Sequence, residues 1–334
     1  MKLHGAAATV LVLLFALAAA LAATASAQSE EKIPSIELRG DLTPAAAAWI
    51  DHALGSAADA GAPLAIIRLD TPGGLESAAE DIVDQIRTAP MPVVVYVFPG
   101  GAEVENRGAA IVDAADVAAM APGTTLESEG NDLGENTALK QGRIDMIAAD
   151  QDTLLAKLDG WEVAGPKEET LSTAGEEIDD RSMTTPFEVL GVLVNPDVAV
   201  LLIFAGLLGL ALEAFAPGAI IPGVLGAVAL ILGVIGAVQL PVAALGVVLL
   251  VAASGLILAA TRLRPTAVVG ALGVAALIGG GLLLFDTDSD QIAVSPPFVV
   301  VAGATLGLAT ILVGDRVLGA RRRPGIESGP EGAA

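Results

Sequence analysis

The sequence predicts an α/β domain followed by an all-α membrane domain with several spans. Strand and helix patterns alternate through the first half of the 334-residue chain, as they do in parallel sheets with right-handed crossovers. Long apolar runs fill the second half, and a hydrophobic fraction of 54% is too high for two soluble domains. Residues 28–196 carry 31 of the 39 Asp and Glu residues. The two halves are therefore an acidic soluble domain and a membrane domain.

The first 27 residues have the pattern of a signal peptide. A charged start at Lys2 precedes an apolar core over residues 6–23, and Ala25-Ser26-Ala27 is typical of a cleavage site before Gln28. An uncleaved membrane anchor is the alternative, because the apolar core approaches the length of a span. Either interpretation predicts that the acidic half is exported.

The α/β domain, predicted over residues 28–185, is organised around a strand at Leu64–Leu69 that ends at Thr71-Pro72-Gly73-Gly74. Its apolar residues suit a strand covered on both faces, and the glycine turn leads into a helix. Because glycine has no Cβ, the N–H groups there can approach a ligand carbonyl near the positive end of that helix. The turn predicts an oxyanion hole or a peptide-binding site, with a plain tight turn as the alternative.

The other elements of this domain follow the same alternation. Strands are predicted at Ile33–Leu38, Pro92–Phe98, Val117–Met120 and Ile144–Ala148, and helices at Pro44–Ala60, Leu75–Ala89, Glu103–Ala114 and Asp150–Leu158. Residues 121–142 are predicted as a loop because Gly, Asn, Ser and Thr dominate them. Residues 166–181 are predicted as an exposed linker or a last small strand.

Five spans are predicted within residues 186–320, followed by a short disordered tail over 321–334, basic and then acidic. The spans are Val198–Phe215, Ala219–Val238, Val242–Ala260, Thr266–Phe285 and Phe298–Val317, each near the length that crosses a bilayer. Arginines at 262, 264, 316 and 321–323 then lie on the cytoplasmic side, and the acidic tip at 286–290 lies outside. Glu213 lies inside the first of these spans, and it is interpreted as an interface residue, with an ion path as the alternative.

Composition excludes several kinds of site. The chain has no Cys and two His residues, His4 and His52, which excludes disulfides, thiolate chemistry, a His-based triad and a multi-His metal site. The sequence therefore predicts no cofactor and no metal. A net charge of −22 argues against nucleic acid as a partner. The scarcity of Lys beside so many acids makes a halophilic origin a hypothesis.

Four motifs in combination resemble the NfeD family of membrane-bound, ClpP-class serine proteases. They are Leu-Asp-Thr-Pro-Gly-Gly at 69–74, Pro-Val-Val-Val-Tyr-Val at 92–97, Ala-Ala-Met-Ala-Pro-Gly-Thr at 118–124 and Ile-Asp-Met-Ile-Ala at 144–148. The resemblance implies an exported ClpP/crotonase-type α/β domain anchored by a multi-span transmembrane domain. It also implies a partnership with stomatin-like membrane proteins, on whose hydrophobic tails such proteases are thought to act. The family often adds an OB-fold domain, which residues 321–334 are not expected to form.

The resemblance also implies where a Ser-Lys dyad would lie, and the chain departs from the pattern there. Asn106 occupies the position of the nucleophilic serine, and an amide does not form the ester intermediate. Glu105 and Arg107 replace small flanking residues. The family's lysine comes from a helical segment, and this chain is predicted to have a loop in that interval. Lys140 ends this interval and lies in a stretch that resembles a later motif of the family. It is therefore not expected to be the general base.

The sequence therefore predicts a degenerate NfeD-type protein that is catalytically inactive and binds or scaffolds a membrane partner. The alternative is an active membrane-bound serine endopeptidase that cleaves hydrophobic protein segments. In that alternative Ser128 or Thr125 acts with Lys140 as a relocated dyad, since an amine of lowered pKa can serve a hydroxyl as its base. A homo-oligomer is a further hypothesis. Transport is disfavoured because the spans lack paired charges.

Overall fold

A computed structural model describes residues 32–105, 107–128, 130–215, 220–260, 266–285 and 294–321. It divides into two compact units: residues 32–40, 49–72 and 80–183 belong to the first, and residues 41–48, 73–79 and those from Thr184 onward belong to the second. The predicted signal peptide, Arg262 and Arg264, the acidic tip at 286–290 and the tail beyond Arg321 lie outside the described residues.

A six-stranded parallel sheet forms the centre of the α/β domain. In spatial order its strands are Ile178–Arg181 (β11), Ile33–Arg39 (β1), Ala65–Asp70 (β2), Val93–Val97 (β3), Val117–Met120 (β5) and Met146–Ile147 (β8). The helices of this domain are Pro44–Asp59 (α1), Glu76–Thr88 (α2), Gly108–Ala114 (α3), Glu135–Lys140 (α4) and Gln151–Leu158 (α5). The predicted alternation of strand and helix is confirmed, and β11 is the last small strand that the sequence allowed.

One face of this sheet is covered by apolar residues over only part of its length. On one face, Ile66, Val94 and Tyr96 pack with Leu154 of α5 in a buried cluster. Further toward the carboxyl ends of the strands, the same face carries charged residues, beginning with the aligned pair Glu37 and Arg68. The predicted strand is therefore buried over most of its length, and alternate residues of β1 and β2 are charged at its carboxyl end.

Residues 103–104, 125–128 and 131–134 form a second sheet that the sequence did not predict. Its strands are Glu103–Val104 (β4), Thr125–Ser128 (β6) and Asn131–Gly134 (β7); β4 and β6 are parallel, and β6 and β7 form an antiparallel hairpin. The predicted helix from Glu103 therefore begins only at Gly108, and the predicted loop is a hairpin followed by α4. The polar sequence of these strands does not show the apolar alternation of a strand, and β4 is ordered by pairing with β6 more than twenty residues along the chain.

The segment before β11 is held in place by a buried ion pair. Strands Glu162–Val163 (β9) and Glu169–Thr170 (β10) form a small antiparallel pair. Between them, the Nζ of Lys167 lies 2.7 Å from Asp116 Oδ2 and donates to the carbonyl of Ile86 at 2.7 Å. The two charged side chains are 9% and 12% exposed. The segment is therefore anchored at Lys167 although nine of residues 166–181 are exposed, and the predicted last small strand forms at its end as β11.

The second half of the chain is a set of apolar helices. They are Thr185–Val194 (α6), Pro196–Phe215 (α7), Ile220–Ala237 (α8), Ala244–Ala260 (α9), Thr266–Leu282 (α10) and Pro296–Arg321 (α11). Helices α7 to α11 match the five predicted spans within a few residues, apart from the longer C-terminal end of α11. By length and composition, α7 and α11 each contain a stretch able to cross a membrane, and α8, α9 and α10 are shorter apolar helices.

Small residues let these helices approach each other closely. A Cβ on Gly226 of α8 would lie 2.9 Å from the Cα of Gly209 on α7, and the reverse distance is 2.8 Å. Phe204 of α7 is fully buried, and Gly281 of α10 and Gly303 of α11 leave room for its ring. Glycine contacts of this kind are common where helices associate in a bilayer, since close backbone packing supplies the attraction.

Candidate functional site

The Gly73-Gly74 turn follows the end of β2. Both glycines have positive φ angles, 101° and 150°. The carbonyl of Gly73 accepts a hydrogen bond from the N–H of Leu42 at 2.8 Å, and the N–H of Leu75 donates to the carbonyl of Leu42 at 2.9 Å. The turn is thereby fixed beside Leu42 in the manner of a short parallel bridge.

Gly74 is glycine for a steric reason that the fold itself imposes. A Cβ on Gly74 would lie 2.5 Å from both the N and the O atom of Leu42. Real Cβ atoms do not approach backbone atoms so closely, and the positive φ adds strain for any other residue. A structural requirement therefore accounts for Gly74. A role of Gly73 and Gly74 in peptide binding stays a prediction.

The segment around the position of the predicted nucleophile is anchored to Thr71. The N–H of Thr71 donates to the carbonyl of Glu103 at 3.0 Å, and the N–H of Glu105 donates to the carbonyl of Thr71 at 3.0 Å. At the start of α3, a Cβ on Gly108 would lie 2.7 Å from Thr71 Cγ2. Asn106 itself lies outside the described residues. Its neighbours on both sides are thus held against Thr71, a residue whose role the sequence prediction missed although the Thr-Pro-Gly-Gly motif contains it.

Ser128, Thr125 and Lys140 lie on elements that the sequence did not predict. Ser128 ends β6 and pairs with Asn131 across the hairpin, while Thr125 begins β6 and donates its N–H to the carbonyl of Ala102 at 3.1 Å. Lys140 is the exposed last residue of α4. Among the described residues no hydrogen bond joins either hydroxyl to the Lys140 amine, so the relocated dyad stays a prediction without a preformed contact.

Tyr96 is a strongly perturbed group of the α/β domain. Its side chain is fully buried, and its O–H donates to the carbonyl of Ala148 at 2.9 Å. Burial raises the pKa of the phenol above its ordinary value of 10.0, and the nearby Asp150 carboxylate raises it further. The pKa of Asp150 is lowered instead, because hydrogen bonds from Thr153 at the start of α5 stabilise the ionised form. Tyr96 therefore stays neutral, which suits a packing role and not proton transfer.

Glu213 is an acid inside the first predicted span, on α7. The carboxylate of Glu213 on α7 contacts Gly223, in the first turn of α8. Any side chain at residue 223 would overlap this carboxylate. A carboxylate near the first turn of a helix lies where the helix dipole is positive. This contact favours a packing role of Glu213 over an ion path, and its assignment as an interface residue stays a prediction. Within the described ranges, no three side chains of His, Asp or Glu come together as a metal site requires.

The apolar helices resemble a known membrane domain. Residues 197–314 match the model of the NfeD integral membrane domain. The chain is also 25% identical to the membrane-bound protease PH1510 of Pyrococcus horikoshii, over 81% of this chain and 74% of that protein. It is 27% identical to the membrane protein NfeD1b of Bacillus subtilis, over 83% of this chain and 71% of that protein.

The chain is a homologue of the NfeD-type membrane proteins. Among solved structures, the 1510-N membrane protease of Pyrococcus horikoshii, described as specific for a stomatin homologue, matches 48% of this chain and 96% of its own length. The identity is 25% and the TM-score 0.46. The predicted resemblance to NfeD-type membrane proteins is confirmed. The predicted order of an α/β domain followed by an all-α region is confirmed as well, and the match to the NfeD membrane domain lies in that second region.

Proposed function

We propose that this NfeD homologue is a catalytically inactive, membrane-anchored, ClpP-like protein that binds or scaffolds a membrane partner. The observation that carries the proposal is Asn106, at the position where the family resemblance implies a nucleophilic serine. A carboxamide nitrogen is not a nucleophile toward peptide carbonyls, so the covalent route is closed at that position.

The hydrogen bonds around Asn106 support this interpretation. Glu103 and Glu105 are bonded to Thr71 at the end of β2, and Gly108 packs against the same residue. The segment is therefore tied to the strand that precedes the glycine turn, as a catalytic segment would need to be. The chain keeps this frame and carries an amide where chemistry would require a hydroxyl.

The relatives indicate the kind of partner. The 1510-N protease is described as specific for a stomatin homologue. Recognition of such a protein does not require cleavage, so an inactive homologue can retain it. We propose a stomatin-like membrane protein as the partner. Binding is proposed to involve the exported domain, with the C-terminus of the chain in the cytoplasm.

The first test measures peptidase activity of the full chain in detergent. We expect no cleavage of hydrophobic peptides and no covalent adduct with a serine-directed phosphonate. Losing the nucleophile of such a dyad costs several powers of ten in rate, because only binding and oxyanion stabilisation remain. Ser128→Ala and Lys140→Met serve as variants for the alternative.

The active-endopeptidase alternative rests on the position of Ser128. This residue is partly exposed and lies in the same small sheet as β4, the strand that precedes Asn106. If the chain cleaves peptides and each of Ser128→Ala and Lys140→Met abolishes cleavage, the relocated dyad is established. The proposal that the chain is inactive because of Asn106 is then refuted. Cleavage that survives both changes would refute both assignments.

The second test measures partner capture. The full chain is reconstituted into vesicles with a purified stomatin homologue and recovered through an affinity tag. We expect the homologue to be recovered with the chain, and a truncated homologue without its hydrophobic tail to be lost. If both forms are lost, the partner assignment is wrong, whatever the outcome of the activity test.

A further inference from the structure

A small polar cavity opens at the carboxyl ends of β1, β2 and β3, on the face of the sheet that carries the charged residues. Ligands of parallel α/β sheets bind outside the carboxyl ends of the strands, so the location is favourable. The cavity has a volume of about 120 Å³. Its walls are formed by Glu37, Leu38, Arg39, Arg68, Asp70, Phe98 and Pro99. None of these residues belongs to the Gly73-Gly74 turn.

Arg39 provides one group able to bind an anion. Its Nε donates to Asp70 Oδ2 at 3.1 Å, and Asp70 Oδ1 accepts from the N–H of Glu103. Asp70 is therefore satisfied and holds the guanidinium in place. The Arg39 side chain is 63% exposed, and its remaining N–H groups make no other hydrogen bond to the described residues. They are available to an incoming acceptor.

Arg68 and Glu37 provide the second and third groups. The two residues are directly opposite in the register of β1 and β2, yet their side chains form no ion pair within the described part of the chain. The Arg68 guanidinium reaches Asp180 at 3.5 Å instead, and its buried Nε–H has no acceptor among the described residues. Leaving such a donor without an acceptor is costly, so a ligand that supplies one gains from it.

The apolar wall is rigid. The rings of Phe98 and Tyr96 stack with their centroids 5.0 Å apart, and Tyr96 is fully buried. Pro99 follows Phe98 directly, and both residues line the cavity. A side chain that packs against this wall would not have to order it first.

We propose that this cavity binds the C-terminal residue of a polypeptide. The terminal carboxylate accepts hydrogen bonds from the guanidinium groups of Arg39 and Arg68, the last peptide N–H donates to Glu37, and the last side chain packs on Phe98. Arginine suits carboxylates because its donors are fixed in a plane. The inference is independent of whether the chain is an active protease.

The charges favour this ligand over a phosphate. A dianion would face Glu37, which has no ion-pair partner among the described residues, in a chain of net charge −22. A chain terminus carries a single negative charge with an N–H beside it, so it matches both signs in the cavity. Residues 28–196 contain only ten Lys and Arg residues, and two of them line this one cavity.

The test uses the full chain in nanodiscs and a fluorescein-labelled peptide of six residues that ends in Ala-Leu with a free carboxylate. The same peptide with a C-terminal amide is the matched ligand control. Fluorescence anisotropy should show the acid binding at least about tenfold more tightly than the amide. Millimolar acetate should not displace the acid peptide, because it lacks the N–H and the side chain.

Variants assign the binding to the cavity. Arg39→Met is decisive, because the Arg39 side chain is mostly exposed and we expect the fold to tolerate its loss. It should lower the affinity for the acid peptide at least about tenfold and leave the affinity for the amide peptide unchanged. Arg68→Met and Glu37→Gln should also lower the affinity for the acid peptide. The control Arg143→Met removes an arginine paired with Asp113 elsewhere on the domain, and it should change nothing.

Three results would overturn the proposal. They are equal binding of the acid and amide peptides, an unchanged affinity in Arg39→Met, and displacement by acetate as effective as by unlabelled peptide. The last result would make the cavity a site for small anions. A cooperative thermal transition for each variant ensures that a loss of binding is not a loss of folding.

Discussion

At the scale of single residues, Gly74 shows how one backbone position can look catalytic and be structural. The Leu42 backbone occupies the space that a side chain at residue 74 would need. Gly40 is a useful comparison, because its φ of 83° is also positive but a Cβ there would meet nothing within 4 Å. Substitutions at the two positions therefore separate the free-energy cost of a positive φ angle from the cost of overlap with Leu42.

We therefore expect Gly74→Ala to destabilise the protein much more than Gly40→Ala. The control should lose about 1 kcal/mol from its positive φ, and Gly74→Ala should lose that amount and several kcal/mol more from overlap with Leu42. Thermal unfolding of the full chain in detergent measures both. Partner capture is recorded on the same variants. Equal melting temperatures would mean that the Leu42 contact does not explain the glycine.

Tyr96 is the only tyrosine of the chain, so its ionisation can be followed by the absorbance of tyrosinate near 295 nm. Because burial raises the pKa of Tyr96 in the folded state, we expect little tyrosinate signal at pH 10 to 11 until the protein unfolds. In guanidinium the signal should titrate near the ordinary pKa of 10.0. A midpoint near that value in the folded protein would contradict the burial of the phenol.

The same shift predicts how stability depends on pH. A raised folded-state pKa favours folding while the phenol is protonated in both states. That contribution is lost as pH rises above the unfolded value of 10.0 toward the folded one. Stability should therefore fall in strong alkali, and Tyr96→Phe should be less stable at neutral pH and show a smaller fall. An equal fall in Tyr96→Phe would assign the alkaline transition to other groups.

At the scale of elements, close contacts at glycine hold the apolar helices together. Gly226 of α8 meets the backbone of α7 at Gly209, whereas a Cβ on Gly255 of α9 would meet nothing within 4 Å. Both glycines are helical and both lie in apolar helices. They therefore share the same local propensity and differ in what surrounds them.

We expect Gly226→Val to separate α7 from α8 and Gly255→Val to be tolerated. Overpacking of a close helix contact costs about 1–3 kcal/mol or more, since a backbone on the other side gives way less than a side chain does. The measurement is the melting temperature of the full chain in detergent. If the two variants melt together, glycine packing is not what joins these helices.

At the scale of the whole molecule, the predicted topology has five spans with the C-terminus in the cytoplasm. Helices α8, α9 and α10 have 18, 17 and 17 residues, which is near the lower end of the range for a span of about 17–25 residues. Their number and spacing along the chain match the prediction. Which side of the membrane each end occupies remains a prediction from the charges.

Cysteine labelling tests that topology. The native chain has no Cys, so Asp288→Cys and Gly325→Cys would each carry a single reactive thiol. We expect an impermeant maleimide to label residue 288 from outside intact cells and residue 325 only after the membrane is opened. Labelling of both from the same side would rule out five spans.

The sequence by itself determined most strands of the main sheet, the longer helices, and the segments that are apolar enough for a membrane. These properties follow from local periodicity and composition, which do not depend on distant partners. The Asn at position 106 is likewise a matter of sequence alone. Only the tertiary structure decided that 103–104 pair with 125–126, that Gly74 faces Leu42, and that Glu37 lies opposite Arg68. Each depends on a partner far along the chain, and in a sheet a register shift of one residue would move every side chain to the other face.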